Sequence, residues 1–475
     1  MNSFLHERRT SWGRGFLGIL ILFISCAKAD RVSFDSSSSA GLFLQISVPI
    51  LNSIGVNSDN AKEITSFRFT GSDNFFADDF VGIISGNQIT INAPFGAIRR
   101  LKAGFVSTGN SVLVEDVVQR SGQTQNDFSS PKIYRISAVN GTTQEYTVRV
   151  NPVFRLTDAG QTNCYSTCSS NPGQDADYST GVPTSFQSNV VLSGHSSEPV
   201  TFDRQTGLVW KYCAKGPSNT TCGTPDASLF YPDAVSACSS LNVFNGGAGY
   251  AGITTWRVPE IEEFMTLTEH ASPLSGFIRV SDFPDGVFSF WSNTEDSTNP
   301  LRAWSFHFGT DQALTNGKTS GSMGVRCVSG APIPSRAFVD LNDGTVLDNR
   351  TGLIWQKCTK GQTWSSAFPD CSVGATIPEN WNSALGTCNH LNLAGRIWRL
   401  PNINELRSLI DFASSSAIRI DNTAFPNIPA PNPKYHSSNS VPGGIIFKVN
   451  FSIPEINTVD GPSSVSLTRC VADGP

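Results

Sequence analysis

The sequence contains little charge and few methionines. Charged residues make up 15% of its 475 positions, and three methionines stand against 31 phenylalanines. Disordered chains are rich in charge and poor in aromatic residues, so this composition indicates a folded protein. With 41 glycines and 27 prolines, it favours short strands and turns over long helices. At roughly 100–200 residues per domain, we expect about three domains.

The chain also lacks an excess of positive charge. Lysine and arginine number 34 and aspartate and glutamate 39, which gives a net charge of −5. A protein that binds nucleic acid needs a basic face to neutralise phosphates. We therefore expect no nucleic-acid partner.

Motifs of the common enzyme classes are absent from the sequence. It contains no His-Glu-x-x-His, no Gly-x-Ser-x-Gly and no glycine-rich phosphate loop before a helix. The six histidines are scattered along the chain. We expect no enzymatic activity, no metal site and no cofactor.

The first 25 residues have the features of a secretory signal. A basic stretch precedes an apolar run over residues 16–24, which is too short to cross a bilayer of ~30 Å. The run ends at Ser25-Cys26 and resembles a bacterial lipobox of the looser spirochaete type. This resemblance implies that Cys26 is lipidated and anchors an outer-membrane lipoprotein, exposed on the surface or facing the periplasm. The alternative is an ordinary signal peptide that is cleaved near Ala29.

A tether and a β-rich region are expected next. Residues 26–45 are small and polar, whereas residues 46–152 alternate apolar and polar positions in several short runs. Two of these runs flank Asn140-Gly141, a dipeptide typical of a type I′ hairpin. The pattern predicts an all-β sandwich, and it resembles the Ig-like domains found near the anchors of bacterial surface lipoproteins. Its charges balance, so we expect it to act as a spacer.

The rest of the chain contains a tandem repeat. A period of more than 140 residues is too long for a solenoid, whose units run about 20–50 residues, so each copy is expected to be a domain. We assign copy 1 to residues 196–330 and copy 2 to residues 334–475, after a cysteine-containing linker over 153–195. Four motifs occur in both copies: Thr-Gly-Leu-[Val/Ile]-Trp from Thr206 and Thr351, Trp-Arg-[Val/Leu]-Pro from Trp256 and Trp398, Phe-Pro at Phe283 and Phe425, and Arg-Cys-Val at Arg326 and Arg469.

Two helices are predicted in each copy. Apolar residues over 381–391 recur with helical spacing, and copy 1 has a shorter equivalent over 234–241. A second helix is expected to begin with its first residue at Pro259 or Pro401. The repeated Glu263 and Glu405 lie in its first turn, where carboxylates complement the helix dipole, so we interpret them as structural.

The repeated motifs resemble the C-terminal domain of bacterial collagen-like adhesins, which has a C-type-lectin-like fold. The resemblance covers about 200–328 and 338–472. It implies two disulfide-stapled α+β domains on a non-enzymatic surface protein that recognises a host or matrix protein or a polysaccharide. Two alternatives remain: an envelope protein that contacts only neighbouring proteins, and an exported enzyme related to the formylglycine-generating fold.

The chain has 11 cysteines, an odd number, and each copy contains four. Four cysteines allow three pairings, and neither copy has the paired spacing of a zinc site. The lectin-like resemblance implies that the first helix is joined to the last strand. With a short-range pair in the linker and Cys26 left for the lipid, the expected disulfides are Cys164–Cys168, Cys213–Cys222, Cys238–Cys327, Cys358–Cys371 and Cys388–Cys470.

Candidate ligand-binding residues lie in long stretches over 291–322 and 435–466, where the lectin-like fold usually binds its ligands. The alternative is that the aromatic residues at the start of these stretches belong to strands with one face buried. Calcium-dependent sugar binding is not expected, because Glu-Pro-Asn and Trp-Asn-Asp are absent. The candidates for stacking on a sugar or a protein surface are Trp291, Trp304, His307, Tyr435 and His436.

Charge argues against a polyanionic ligand. Residues 196–333 contain eight basic and 13 acidic residues, and residues 334–475 contain 11 of each. Sulfated polymers need a basic face. The residues of copy 2 that could supply one are Arg396, Arg399, Arg407 and Arg419.

Overall fold

The computed structural model describes most of the chain after Asn57. The predicted signal peptide, Cys26 and the tether over 26–45 lie outside the described residues. Asp59 onward forms one compact unit, and no described helix is long and apolar enough to cross a membrane. The described residues are 58–178, 180–214, 222, 229–270, 276–285, 289–441, 444–452 and 461–474.

The N-terminal module, residues 59–153, is built from short strands with alternating burial, because successive side chains of a strand point to opposite faces. Two helical turns at Ser58–Asn60 and Phe95–Ala97 and a short helix, α1 (Gly71–Asn74), interrupt them. The strands are β1 (Ile64–Phe69), β2 (Phe80–Val81), β3 (Ile83–Ser85), β4 (Gln88–Pro94), β5 (Leu101–Lys102), β6 (Gly104–Ser107), β7 (Ser111–Val114), β8 (Val117–Val118), β9 (Gln125–Asn126), β10 (Lys132–Ser137) and β11 (Thr143–Val153).

Three sheets form this module, with strand orders β2-β1-β6, β3-β4-β11-β10-β7-β8 and β5-β9. All pairs are antiparallel except β4–β11. Phe67 and Tyr134, from the two larger sheets, meet edge to face at 5.3 Å inside the core. The predicted hairpin joins β10 to β11, but its turn is not type I′. Ser137 pairs with Thr143, so the loop is longer than two residues, and only Gly141 of the dipeptide has positive φ.

Copy 1 contains a five-stranded sheet, β12-β13-β14-β19-β15, and a three-stranded sheet, β16-β17-β18. Its strands outnumber its helices, which gives a mostly β domain. A short helix, α2 (Asp175–Tyr178), lies before copy 1. The elements of copy 1 are β12 (Phe186–Val190), β13 (Val200–Asp203), β14 (Val209–Lys211), α3 (Tyr231–Ser240), α4 (Phe244–Gly247), β15 (Trp256–Arg257), α5 (Ile261–Met265), β16 (Ser289–Glu295), β17 (Arg302–His307), β18 (Gln312–Gly317) and β19 (Val328–Ser329).

Copy 2 repeats this plan with the sheets β20-β21-β22-β27, β23-β24 and β25-β26. The predicted amphipathic helix is present as α6. Its buried face carries Trp381, Ala384, Leu385 and Cys388. The elements are β20 (Phe338–Asp340), β21 (Thr345–Asp348), β22 (Ile354–Gln356), β23 (Gln362–Ser365), β24 (Phe368–Gly374), α6 (Trp381–Asn389), α7 (Ile403–Arg407), β25 (Lys434–Val441), β26 (Ile445–Asn450) and β27 (Val471–Ala472).

The repeated arginine of Arg-Cys-Val makes the same hydrogen bonds to backbone carbonyl groups in both copies. Arg326 is fully buried and donates from Nη1 to the carbonyl oxygens of Lys211 and Tyr212, at 3.1 and 2.9 Å. Arg469 donates in the same way to the carbonyls of Gln356 and Lys357. Each arginine thereby satisfies backbone groups just after the strand that carries the buried tryptophan, Trp210 or Trp355. This explains why the two motifs recur together.

Glu263 and Glu405 are structural, as their positions indicate. Each closes a capping box at the start of α5 or α7. Each also forms a two-pronged ion pair with the arginine of Trp-Arg-x-Pro. Arg399 donates to Glu405 at 2.6 and 2.7 Å, and Arg257 pairs with Glu263 in the same way. The prolines precede the helix caps instead of occupying the first helical position.

Five disulfides staple the described chain. In each copy one of them joins the first long helix to the residue before the last strand, and these two close separations of 89 and 82 residues. The pairs are the ones that the resemblance and the cysteine count lead us to expect. They are Cys164–Cys168, Cys213–Cys222, Cys238–Cys327, Cys358–Cys371 and Cys388–Cys470.

The two copies share one hydrophobic core and a set of ion pairs. In these pairs copy 1 supplies the acids and copy 2 the arginines, in keeping with the excess of acid in copy 1. Arg407 also donates to the carbonyl of Met265, which is the copy 1 residue at its own position in the repeat. The pairs are Glu262–Arg336 at 2.5 Å, Glu262–Arg350 at 3.1 Å, Asp311–Arg407 at 3.1 Å and Asp296–Arg419 at 3.6 Å.

Part of the predicted linker is a docking segment, residues 157–178, that packs on copy 2 although it precedes copy 1 in the sequence. Gln161 Nε2 donates to Ser440 Oγ at 3.0 Å. Asn404 Nδ2 donates to the carbonyl of Thr157 at 2.8 Å, in a buried contact. The segment that precedes copy 1 in the sequence therefore packs against copy 2, and this contact connects the two copies.

Within the docking segment, Asp175 is buried, and burial raises its pKa to about 8, helped by the nearby Asp158 and Glu405. In an unfolded chain the pKa is about 3.9, so folding carries a cost that grows from about pH 4 to pH 8. We expect Asp175→Asn to raise the melting temperature by a few degrees at pH 8 and to change it little at pH 4. Asn439 still finds an acceptor in the amide oxygen. Thermal melts at both pH values check this, and equal effects at the two would contradict it.

Candidate binding cleft

The tryptophans among the candidate ligand residues are buried. Trp291 lies in β16, is fully buried and donates from Nε1 to the carbonyl of Leu229 at 2.8 Å. Trp304 lies in β17, is 2% exposed and packs edge to face on Phe412 of copy 2 at 5.1 Å. Neither ring faces solvent, so neither can stack on a ligand in this structure.

The candidate ligand residues of copy 2 are also buried. Tyr435 and His436 begin β25 and are fully buried. The Tyr435 hydroxyl lies 2.7 Å from Thr359 Oγ1, and His436 Nε2 lies 2.8 Å from the carbonyl of Glu379. His307 alone of the five is partly exposed, with Nδ1 accepting from the Thr310 N–H at 3.1 Å. The stacking hypothesis is wrong for the four buried residues, and the strand alternative describes them.

The four arginines of copy 2 do not form a basic face. Arg399, Arg407 and Arg419 are buried in the ion pairs with Glu405, Asp311 and Asp296. Arg396 pairs with Asp343 at 3.0 Å. Each of these four guanidinium groups is therefore paired with a carboxylate, and three of the four are buried.

A cleft of about 350 Å³ instead opens between the N-terminal module and copy 1. Its size falls within the roughly 300–1,000 Å³ of small-molecule sites. One wall comes from the segment that follows the helical turn Phe95–Ala97, and the other from residues 251–255 of copy 1. Arg99, Arg100 and Lys102 line it, with Asp73 as the one acidic residue among the lining residues described.

The cationic wall is positioned by a tight contact between the two bodies. The Gly96 N–H donates to the carbonyl of Thr206 at 2.9 Å, in the Thr-Gly-Leu turn of copy 1. Gly207 has φ of +74°, and a Cβ there would come within 2.9 Å of the Ala97 side chain. Only glycine fits this turn. Arg100 then reaches across the seam and donates to the carbonyl of Gly207.

Aromatic and polar contacts fix the same seam. Phe75 and Phe202, which both line the cleft, stack face to face with ring centroids 3.9 Å apart. Arg204 donates from Nη2 to the carbonyl of Phe76 at 2.6 Å. The cleft is thus held open between two bodies that are bonded to each other, and it does not need a ligand to form.

The opposite wall, residues 251–255, is pinned by Glu198. Its carboxylate accepts from the Ala251 N–H, from Asn245 Nδ2 at 2.7 Å and from His195 Nδ1 at 3.0 Å. Burial favours a raised pKa for Glu198, but these hydrogen bonds outweigh it and hold the pKa below the usual value. A charged Glu198 therefore keeps this wall in place at neutral pH.

The cations of the cleft are not neutralised by the fold. Within the described ranges, no carboxylate forms an ion pair with Arg99, Arg100 or Lys102. Arg100 Nε is buried and has no hydrogen-bond partner among the described residues. Burial lowers the pKa of Arg100 to about 10, so it still carries its charge at pH 7. Asp73 bonds to Thr70 Oγ1 at 2.6 Å.

Sequence reasoning missed this site. The charges of the N-terminal module balance overall, which hides the local run Arg99-Arg100-Leu101-Lys102. A run of three cations in four residues is the signal that a search by segment would have found. The run of cations lines a cleft only because copy 1, which is more than 100 residues away in the sequence, supplies the second wall.

Comparisons with known proteins identify the repeat. The family model of the Lcl C-terminal domain matches the chain twice, over residues 199–329 and 344–472. These segments span more than half of the chain and coincide with the two copies. Among solved structures, a proposed secreted protein from Bacteroides fragilis is 19% identical, with a TM-score of 0.14, and the match covers 20% of this chain and 98% of that one. No curated protein matches.

Proposed function

The chain belongs to the family of the Lcl C-terminal domain, which it contains in two copies, and from this premise we propose that it is a non-enzymatic binding protein of the cell surface. The observation that carries the proposal is the preformed cleft between the N-terminal module and copy 1. The repeated Glu263 and Glu405, the candidates for catalytic carboxylates, are engaged in ion pairs with Arg257 and Arg399. Because these two carboxylates are engaged in ion pairs, the contacts support a binding role.

We assign folds to the modules as part of this proposal. The N-terminal module is an Ig-like sandwich, and each copy is an α+β lectin-like domain. Support comes from the two facing sheets that enclose Phe67 and Tyr134, and from the disulfides that join helix to last strand in both copies. As part of the proposal we keep the domain limits 46–152, 196–330 and 334–475, with β12 (Phe186–Val190) added to copy 1, because it pairs with β13, and with residues 157–178 added to copy 2.

The proposed ligand is a host or matrix protein or a glycan outside the cell. The intact mature protein should bind at least one member of a panel of immobilised glycans and matrix proteins at micromolar concentration. A blank panel would contradict the ligand-binding proposal. Protease treatment of whole cells separates it from an envelope protein that faces the periplasm, because only a surface-exposed chain is degraded.

The proposed location is the outer membrane, through a lipid on Cys26. We expect radiolabelled palmitate to enter the wild-type protein and not Cys26→Ala, and the variant to leave the membrane fraction, because each buried CH₂ of an acyl chain contributes about 0.8 kcal/mol to anchoring. The variant Cys164→Ala/Cys168→Ala is the control and should be labelled normally. Equal labelling of Cys26→Ala and the wild type would exclude the anchor.

A further inference from the structure

The cleft holds more positive charge than the fold uses. Three cations and one carboxylate line it, and the carboxylate already accepts a hydrogen bond from Thr70. Like charges held in one cleft repel each other, and a bound anion would remove that repulsion. Elsewhere in the protein, the arginines of copy 2 are placed against acids. The three cations of the cleft have no such partners among the described residues, and they lie together around one cavity.

The chemistry of the cations selects an oxyanion. A guanidinium presents a planar set of donors that matches the two oxygens of a carboxylate or a phosphate. Arg99 is exposed and Arg100 has an Nε donor without a partner among the described residues. Thr255 and Ser329 also line the cleft, and their hydroxyl groups are hydrogen-bonded to each other at 2.6 Å. This combination suits one anionic group together with neutral polar groups.

The size and the apolar floor limit what else the ligand contains. A volume of about 350 Å³ suits a small molecule better than a polymer chain. Phe75 is half-buried and lines the cleft beside Phe202, so an apolar ring face can pack there. A sugar acid or a phosphorylated small molecule has both an oxyanion and such a face.

Resting on the proposed function, we propose that the cleft between the N-terminal module and copy 1 binds a small molecule through an oxyanion, a carboxylate or a phosphate. One site per chain is expected although the lectin-like domain occurs twice. In copy 2 the loop that matches the wall of the cleft contains Ile397, which is 90% exposed. The equivalent surface is therefore open to solvent.

The test is calorimetric titration of the intact protein with inorganic phosphate, glucuronate and glucose. Phosphate or glucuronate should bind at one site per chain, and which of them binds identifies the source of the oxyanion. Glucose should not bind. Arg99→Gln should weaken binding about ten-fold, which corresponds to about 1.4 kcal/mol, and Arg99→Gln/Lys102→Gln should weaken it further. Arg149→Gln removes the same charge from an exposed site in β11, outside the cleft, and should change the affinity less than two-fold.

The outcomes separate this inference from the proposed function. No binding of either anion, two sites per chain, or equal effects of Arg99→Gln and Arg149→Gln would overturn the cleft as an oxyanion site. If the panel of glycans and matrix proteins still binds under those results, the proposed function stands. If the anions bind in the cleft and the panel is blank, the cleft stands and the adhesin role fails. Because Arg99 is exposed, its variant is expected to fold, which circular dichroism checks.

Discussion

Replacing Cys388 and Cys470 by alanine is expected to destabilise copy 2 by about 4–5 kcal/mol. This disulfide closes a separation of 82 residues and joins α6 to the residue before β27. Cross-linking removes chain entropy from the unfolded state, and the effect grows with the logarithm of the loop length. Both sulfurs are buried, so the lost packing adds to the effect. A loss of this size approaches the total stability of many domains.

The short disulfide Cys164–Cys168 provides the matched control. It spans four residues, for which the same relation gives about 2 kcal/mol. Calorimetry and limited proteolysis of both double-alanine variants would measure the difference, with cleavage expected inside copy 2 for the first variant only. Equal losses in the two variants would show that loop length does not govern the stability of this protein.

The repeat and its disulfides could be predicted because the two copies contain the same residue types at nearly the same spacing. Matching motifs place Trp210 and Trp355, or Arg326 and Arg469, at the same point of two domains without knowledge of any contact. Burial could not be predicted in the same way. Trp291 and Tyr435 have the composition of a binding surface, but each stands in a strand whose two faces are both covered.

The cleft could not be predicted because it is made by docking. Arg99 and Lys102 line a cleft only because the Thr-Gly-Leu turn of copy 1 packs on Ala97. The local sequence does not encode that contact. The same holds for the docking segment. Residues 157–178 look like a linker, since they are mostly small and polar, yet Gln161 and Asp175 are buried, with Ser440 and Asn439 of copy 2 as partners.

The buried ion pair between Arg407 of copy 2 and Asp311 of copy 1 is expected to contribute strongly to stability. Arg407→Met is expected to cost about 3–5 kcal/mol, because it removes the buried guanidinium that pairs with the carboxylate of Asp311. Arg407 Nη1 lies 3.1 Å from Asp311, and His270 Nε2 lies 2.7 Å from the same carboxylate, with all three side chains at most 3% exposed. In the intact protein, burial lowers the pKa of His270, and the positive charge of Arg407 lowers it further.

Two further variants test whether the loss comes from the ion pair. Arg407→Met/Asp311→Leu removes both charges of the pair, so most of the stability should return. Arg149→Met, at an exposed site, should stay within about 0.5 kcal/mol of the wild type. The cost of Arg407→Met should also shrink as the pH falls, because His270 can then be protonated beside Asp311. Calorimetric melts at pH 8 and pH 5 measure this. A double variant as unstable as Arg407→Met would mean that packing between the copies, and not the ion pair, carries the effect.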